Sequence, residues 1–380
     1  MKEWKELFLD DVGVLQRGVS KHRPRYAFHL YNGPYPFIQT GDVKTSNKYI
    51  KKYEQTYSEE GLAQSKLWPK GTLCITIAAN IAEVGILGMD ACFPDSILGF
   101  IPDETKCSVD FVYYSLKHYQ KLLQVFGEGS VQDNINLGTF KEITFKFPPL
   151  PEQKAIAEIL SSLDDKIDLL HRNNRTLEYM AKTIYRQWFI EEAYKYDKCL
   201  FGDEFDILMG QSPPSNTYNE VGDGSIFFQG RSDFGFRFPT ERVYCTSPKR
   251  IAKQFDVLLS VRAPVGDINM AMEDCCIGRG LAAIRHKKGY TSYAYYKAKS
   301  LQDEFGVFER EGTVFGAISK SDLKSIKTTM PSEKLIRKFE DIVNPIDRQI
   351  YFNTLQIRTL ESLRDTLLPK LITGEIRVPL

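Results

Sequence analysis

Separated blocks of this 380-residue chain recur farther along it at nearly one spacing, and that duplication restricts the fold more than any other feature. Arg175-Thr-Leu-Glu178 returns as Arg358-Thr-Leu-Glu361, 183 positions later. At the same spacing Gly129-Ser-Val131 meets Gly312-Thr-Val314, and Lys141-Glu-Ile143 meets Lys324-Ser-Ile326. At 184, Ile75-Thr-Ile-Ala-Ala79 meets Leu259-Ser-Val-Arg-Ala263, and Asp90-Ala-Cys92 meets Asp274-Cys-Cys276. Phe37-Ile-Gln39 matches Phe227-Phe-Gln229 at 190. One spacing held across separated blocks implies two copies of one unit.

Each copy follows the same plan. A stretch rich in Gly, Pro, Tyr and Phe comes first, with short β-type runs such as Leu73-Cys-Ile-Thr-Ile77 and Val257-Leu-Leu-Ser-Val261. Prolines at 148, 149 and 151, or at 331, punctuate the chain, and a long helical pattern follows. The helices are predicted over about 152–189 and 332–368, with Pro345 kinking or restarting the second and Pro369 stopping it. Apolar positions in both alternate at four and three residues, from Ile156 through Leu170 and Leu177 to Trp188, and from Ile336 through Ile350 and Leu360 to Leu371. That is a coiled-coil seam.

Each seam holds one asparagine, Asn174 and Asn353, at positions that do not correspond in the repeat. Antiparallel pairing with these two opposed would set Ile156 against Leu371, Ile167 against Leu360, Leu177 against Ile350 and Trp188 against Phe339. A buried amide pair of this kind sets register at some cost in stability. The alternative puts both amides on solvated edges. Two similar domains joined by antiparallel helices would be related by a pseudo-twofold axis. A helix of about 37 residues spans ~55 Å, and so would serve as a ruler between two contacts a helical turn of DNA apart.

Composition excludes several classes. No apolar run reaches the ~18 residues of a membrane span, and the start lacks a secretory signal, so a cytoplasmic protein is expected. The seven cysteines are scattered without a CxxC pair, which argues against zinc or a disulfide framework. The formal net charge is only +1, but Arg231 to Lys288 concentrates basic residues.

Phe147-Pro-Pro-Leu-Pro-Glu-Gln-Lys154, leading into Ile156-Ala-Glu-Ile-Leu160, resembles the central region of specificity subunits of type I restriction–modification systems. The ending Leu363-Arg-Asp-Thr-Leu-Leu-Pro-Lys-Leu-Ile-Thr-Gly-Glu375 resembles it too. Phe255-Asp-Val-Leu-Leu-Ser-Val-Arg-Ala-Pro-Val-Gly266, Cys276-Ile-Gly-Arg-Gly-Leu-Ala282 and Pro36-Phe-Ile-Gln-Thr-Gly-Asp42 are similar to that family's target-recognition domains. The resemblance implies an α+β chain with two mixed α/β recognition domains, at 1–147 and 193–330. They would be separated by antiparallel coiled-coil helices at 148–192 and 331–380. It implies that each domain reads one half of a split site in double-stranded DNA. It also implies two modification subunits that use S-adenosylmethionine to methylate adenine, and restriction subunits that use ATP; no cofactor belongs to this chain.

Sequence reading needs amides and guanidinium groups at base edges, with hydroxyls and lysines on phosphates. The first half offers the basic segment Lys21, His22, Arg23 and Arg25, then Gln39, Thr40 and Lys44, and Asn80 after the Thr76 strand. The second offers Gln229, Arg231, Arg262 and Arg279. Each of these could equally be a solvated loop charge. Partner docking is expected on the exposed helix faces and on Leu371 to Val378.

Enzyme readings fare worse. Asp95 with Glu104 and Lys106 could hold Mg²⁺ for a nuclease, but the repeat places Arg279 opposite Asp95. Ser212-Pro-Pro-Ser215 lacks the Asn or Asp and the aromatic of an adenine methyltransferase motif, and Gly278-Arg-Gly280 lacks the spacing of a phosphate loop. The expectation is a specificity subunit without a catalytic or metal site. A second reading, a non-catalytic coiled-coil scaffold for protein partners, fits the seam and the near-neutral charge equally; salt-dependent DNA binding separates the two.

Overall fold

The computed structural model describes residues 3–128, 135, 137–310 and 316–379. The repeat blocks at Gly129 to Val131 and Gly312 to Val314 lie outside the described residues. Two compact units result: Met1–Asp168 with Arg358–Leu380, and Leu169–Ile357. Their boundary runs through both long helices, so each unit contains one globular segment and half of each helix.

Among its described residues, the first unit has a five-stranded sheet in the order Gly13–Arg17, Ile97–Pro102, Leu73–Thr76, Val84–Leu87, Tyr49–Ile50. A four-stranded sheet follows the order Gln55–Tyr57, Tyr31–Phe37, Ala91–Cys92, Leu67–Trp68, and Lys5–Leu7 pairs with Phe145–Phe147. Leu73–Thr76 is buried along its whole length. The period of two explains this. Leu73 and Ile75 join the core of Phe111, Val112 and Leu116 from the helix Val109–Glu128, while Cys74 faces a second core of Trp68, Phe93 and Val43. Trp68 and Phe93 stack at 4.7 Å, and a Cβ on Gly99 would lie 2.7 Å from either ring, so that strand position must be glycine.

The second unit runs through the same order. Phe205–Met209, Leu281–His286, Val257–Ser260 and Ile268–Met270 form one sheet, and Tyr218–Asn219, Tyr244–Cys245, Ser225–Phe228, Cys275–Ile277 and Ile251–Ala252 the other. Register agrees as well as order. Leu73 opposes Phe100 and Ile86 in the first unit, and Val257 opposes Ile284 and Met270 in the second, each partner 184 positions on. The parallel pair Phe37–Cys92 returns as Phe227–Cys276. Burial alternates likewise: Val257 and Leu259 join a core with Tyr293, whereas Leu258 faces Phe228 and Ile277.

The long helices span Leu150–Tyr185, extended by a π-turn at Arg186–Ile190, and Glu333–Thr373. The second helix departs from expectation, because it continues through both Pro345 and Pro369. A helix-interior proline costs about 3 kcal/mol. Burial offsets that cost: Val343 sits in one core ahead of Pro345, and Leu371 and Ile372 enter another just beyond Pro369. Gly374, at φ +79°, supplies the left-handed residue that ends the helix.

The seam is antiparallel within each unit. Ile156 and Leu371 share the first unit's core, Leu177 and Ile350 the second's, and the Trp188 and Phe339 rings lie 6.4 Å apart. Asn353 Nδ2 donates to Asn174 Oδ1 at 2.8 Å, both residues are buried, and Gln349 Nε2 donates to Asn353 Oδ1 at 2.8 Å. Arg364 fills a seam position by reaching Asp164 at 3.0 Å. The globular part of the second unit grips its helices through Arg237, a fully buried guanidinium that donates to Tyr296 Oη at 2.8 Å, pairs with Asp347 and lies 3.6 Å from the Tyr295 ring centre.

Asn174→Leu alone strands the Asn353 Nδ2 donor in an apolar seam, and is expected to destabilise the chain by about 1–3 kcal/mol. The double variant with Asn353→Leu should recover most of that loss in urea unfolding. A double variant no more stable than the single would refute the buried pair. A second expectation concerns acid. Burial, and after it the Lys288 cation, push His286 down from 6.5 to about 4. The unfolded chain then takes up a proton between those values that the folded chain refuses. The contribution of His286 to stability is present above pH 6.5 and is lost as pH falls toward 4. His286→Gln should flatten that component of the urea midpoint between pH 7 and 4.5.

Candidate nucleic-acid interface

In the first unit the expected residues converge through the sheet. Ile97 opposes Thr76, Leu98 opposes Arg17 and Ile75 opposes Val84, so segments 18–30, 77–83 and 93–96 all leave one end of the five-stranded sheet. Ile77 N–H donates to Ser96 O at 3.0 Å and ties two of them together. Arg25 donates to both Asp95 oxygens at 2.9 and 3.0 Å, and Arg23 lies 4.0 Å from the same carboxylate. Asp95, the acid of the nuclease reading, is therefore a brace for the basic segment. Tyr31 Oη donates to Arg25 O at 2.8 Å, and burial pushes that phenol up to about 12, so it stays a donor. Lys21 is exposed, and the His22 ring meets His29 edge-on at 5.0 Å.

Lys44 and Asn80 come together, the ammonium donating to Asn80 Oδ1 at 3.0 Å. Ala79 and Ala82 flank that asparagine with φ of 63° and 61°. Non-glycine residues in this region cost on the order of 1 kcal/mol each, a strain that concentrates at functional sites. Gln39 and Thr40 are half-buried at the start of Thr40–Thr45, and the Gln39 amide donates to Gln55 Oε1 at 2.5 Å. To reach a base it must give up that bond.

The second unit assembles its residues at the matching edge. Ser212 Oγ donates to Gln229 Oε1 at 3.0 Å and accepts from Arg279 N–H at 3.2 Å, so Gln229 and Arg279 share one neighbourhood. Arg262 is exposed just beyond Val257–Ser260. Arg231 is exposed but pairs with Asp267.

The basic stretch from Arg231 to Lys288 carries less free charge than its sequence suggests. Arg242 pairs with Asp233 at 3.1 Å, Lys253 with Asp274 at 2.7 Å and Arg285 with Asp256 at 2.6 Å, while Arg237 is buried. Sequence alone missed a different basic surface in this unit. A groove of about 570 Å³ is lined by Arg175, Lys182, Arg186 and Lys299 against Glu178, over Tyr185 and Tyr296. The first three stand at spacings of seven and four on one helix face, a signal available in the sequence. Of the expected docking extension, Leu371 and Ile372 are buried, because they complete the first unit's core. Phe189 is likewise core, with Trp188 packed against it.

The model for the type I restriction modification DNA specificity domain matches residues 1–179. A Methanocaldococcus jannaschii protein carrying the provisional name of type I restriction enzyme MjaX specificity subunit is 31% identical over 99% of this chain and 94% of its own length. The MjaIX specificity subunit of the same organism is 25% identical over the same shares. The fold is similar to the crystal structure of the type I restriction–modification S subunit from M. genitalium, with 19% identity and a TM-score of 0.67 over 97% of this chain and 96% of that one. This chain belongs to the type I restriction enzyme specificity subunits. No helix among the described residues is long and apolar enough to cross a membrane.

Asp95→Ala removes the brace from Arg25 and Arg23. Amide exchange across residues 21–30 should speed severalfold, with strand Leu73–Thr76 unchanged; equal protection in both proteins would show that the ion pair does not order the segment.

Proposed function

We propose that this subunit recognises a two-part DNA target, one half-site per unit, and has no catalytic site of its own. One observation carries the reading. Both units send their amide and guanidinium side chains out from the same end of sheets whose registers correspond at 184 positions. Lys44 with Asn80 in one unit, and Gln229 with Arg279 in the other, offer groups suited to base edges and phosphates. Lys21, His22, Arg23, Arg25, Gln39, Thr40, Arg231 and Arg262 surround them as further contacts.

The subunit brings partner subunits to that target: two modification subunits that methylate adenine with S-adenosylmethionine and, in a restriction assembly, ATP-dependent restriction subunits, all in the cytoplasm of a prokaryote. The long helices support the docking role. Their outward faces expose Ile159, Leu169, Met180, Ile342, Phe352 and Leu363, apolar surface that a partner would cover. Asn174 and Asn353 hold the register of those faces.

Methylation sequencing of a host genome with and without this chain tests the proposal, and should give one motif of two parts with a fixed gap. Asn80→Ala should relax base preference in one part and Gln229→Ala in the other, each by ~1–3 kcal/mol at the affected base. A motif unchanged by both substitutions would remove these residues from the interface. No motif at all, with complexes that bind partners but show no salt-dependent DNA affinity, would favour a protein scaffold.

A further inference from the structure

The segment between Gly13–Arg17 and Tyr31–Phe37 is unusually well tethered for a loop that carries two bare aromatic rings. Gln64 Oε1 accepts from the Lys21 and His22 N–H groups at 2.7 and 3.0 Å. The Arg23 guanidinium donates to the Ser20 and His22 carbonyls, both at 2.8 Å, and Arg25 clamps Asp95. Ser58 Oγ donates to His29 O at 2.6 Å, its N–H donates to Leu30 O at 2.9 Å, and the Leu30 side chain is buried. Between these anchors Tyr26 is 81% exposed and Phe28 85% exposed. Neither ring stacks on another among the described residues.

Rings held outward on a braced backbone do not serve the core, and in water they only expose apolar surface. The same segment carries Lys21, Arg23, Arg25 and His29 against Asp95, which the two arginines share, and Glu60, 3.8 Å from His29. The exposed Lys21 adds a positive charge near the rings in the chain, and a partner with anionic groups and flat apolar faces complements both. Duplex DNA has both: phosphates outside, and base planes that accept an aromatic wedge once a step is unstacked. Bracing matters because a wedge must not spend its binding energy on ordering its own loop.

We propose that Tyr26 and Phe28 form a wedge that unstacks one base step in the half-site read by the first unit; this rests on the DNA reading above. The wedge belongs to one unit only. The corresponding segment of the second, between Phe205–Met209 and Ser225–Phe228, exposes Val221 as its large apolar side chain and carries no exposed aromatic among the described residues. The distortion is therefore one-sided, although the two units share a plan.

The test uses the assembled complex with its methyltransferase partner and a duplex bearing the sequenced motif. 2-Aminopurine replaces, one at a time, each purine other than the adenine that becomes methylated. Fluorescence should rise severalfold at one step of one half-site. The rise should vanish in the Tyr26→Ala, Phe28→Ala double variant and persist in Phe28→Trp. Both side chains are exposed, so the substitutions leave the packed core intact. A wild-type complex that binds the duplex without a rise at any position overturns the wedge. So does a rise that the double alanine variant retains, or a matching rise in both half-sites. A wild-type complex that binds no duplex overturns the DNA reading itself.

Discussion

The buried hydrogen bond between Asn174 and Asn353 sets one residue of one long helix against one residue of the other, a single polar contact in an otherwise apolar stretch of seam. With these amides opposed, Ile156 meets Leu371 in the first core and Leu177 meets Ile350 in the second. A slip of one heptad would still place apolar side chains in the seam. It would break the bond between the two amides and leave Asn174 Oδ1 and Asn353 Nδ2 buried without each other, at the desolvation cost of those groups. It would also withdraw Leu371 and Ile372 from the core that keeps the helix going past Pro369. Apolar patterning selects the pairing of the helices, and one polar contact selects the register.

The candidate site sits on loops whose underlying central strands are buried on both faces. Leu73–Thr76 and Val257–Ser260 alternate their side chains between two separate cores, so neither strand can shift by a residue without exposing one core or filling the other. Segments leaving the ends of such strands inherit fixed starting points. That is why Lys44 and Asn80, far apart in the chain, reach hydrogen-bonding distance, and why the backbone can hold Ala79 and Ala82 in a costly conformation on either side of Asn80.

Charge follows the same economy. A net +1 conceals a division between cations paired within the units and cations left exposed. Arg237, Arg285 and Arg242 are structural, held by Asp347, Asp256 and Asp233, whereas Arg262 and Arg279 stand exposed at the sheet end and Arg175 and Lys182 line a groove. Exposed cations bind phosphate by releasing counterions; paired ones have already given up much of that capacity.

The order of elements, the long helices and the seam were legible in the residues, because each is written in a spacing: 184 between strand blocks, four and three along the helices. The asparagines were open between an opposed pair and two solvated edges until the fold buried them together. The family was legible too, from motifs over the whole length. Spacing could not say where a helix stops when its end is buried, so the passage through Pro345 and Pro369 came only with the tertiary cores that offset the lost hydrogen bonds. Nor could it tell a free arginine from a paired one, since Asp347 lies 110 residues from Arg237 and Asp267 lies 36 from Arg231. The exposure of Tyr26 and Phe28 is written in no spacing either. Periodicity is a local property that the chain carries with it, whereas ion pairing and exposure depend on neighbours that only the folded chain supplies.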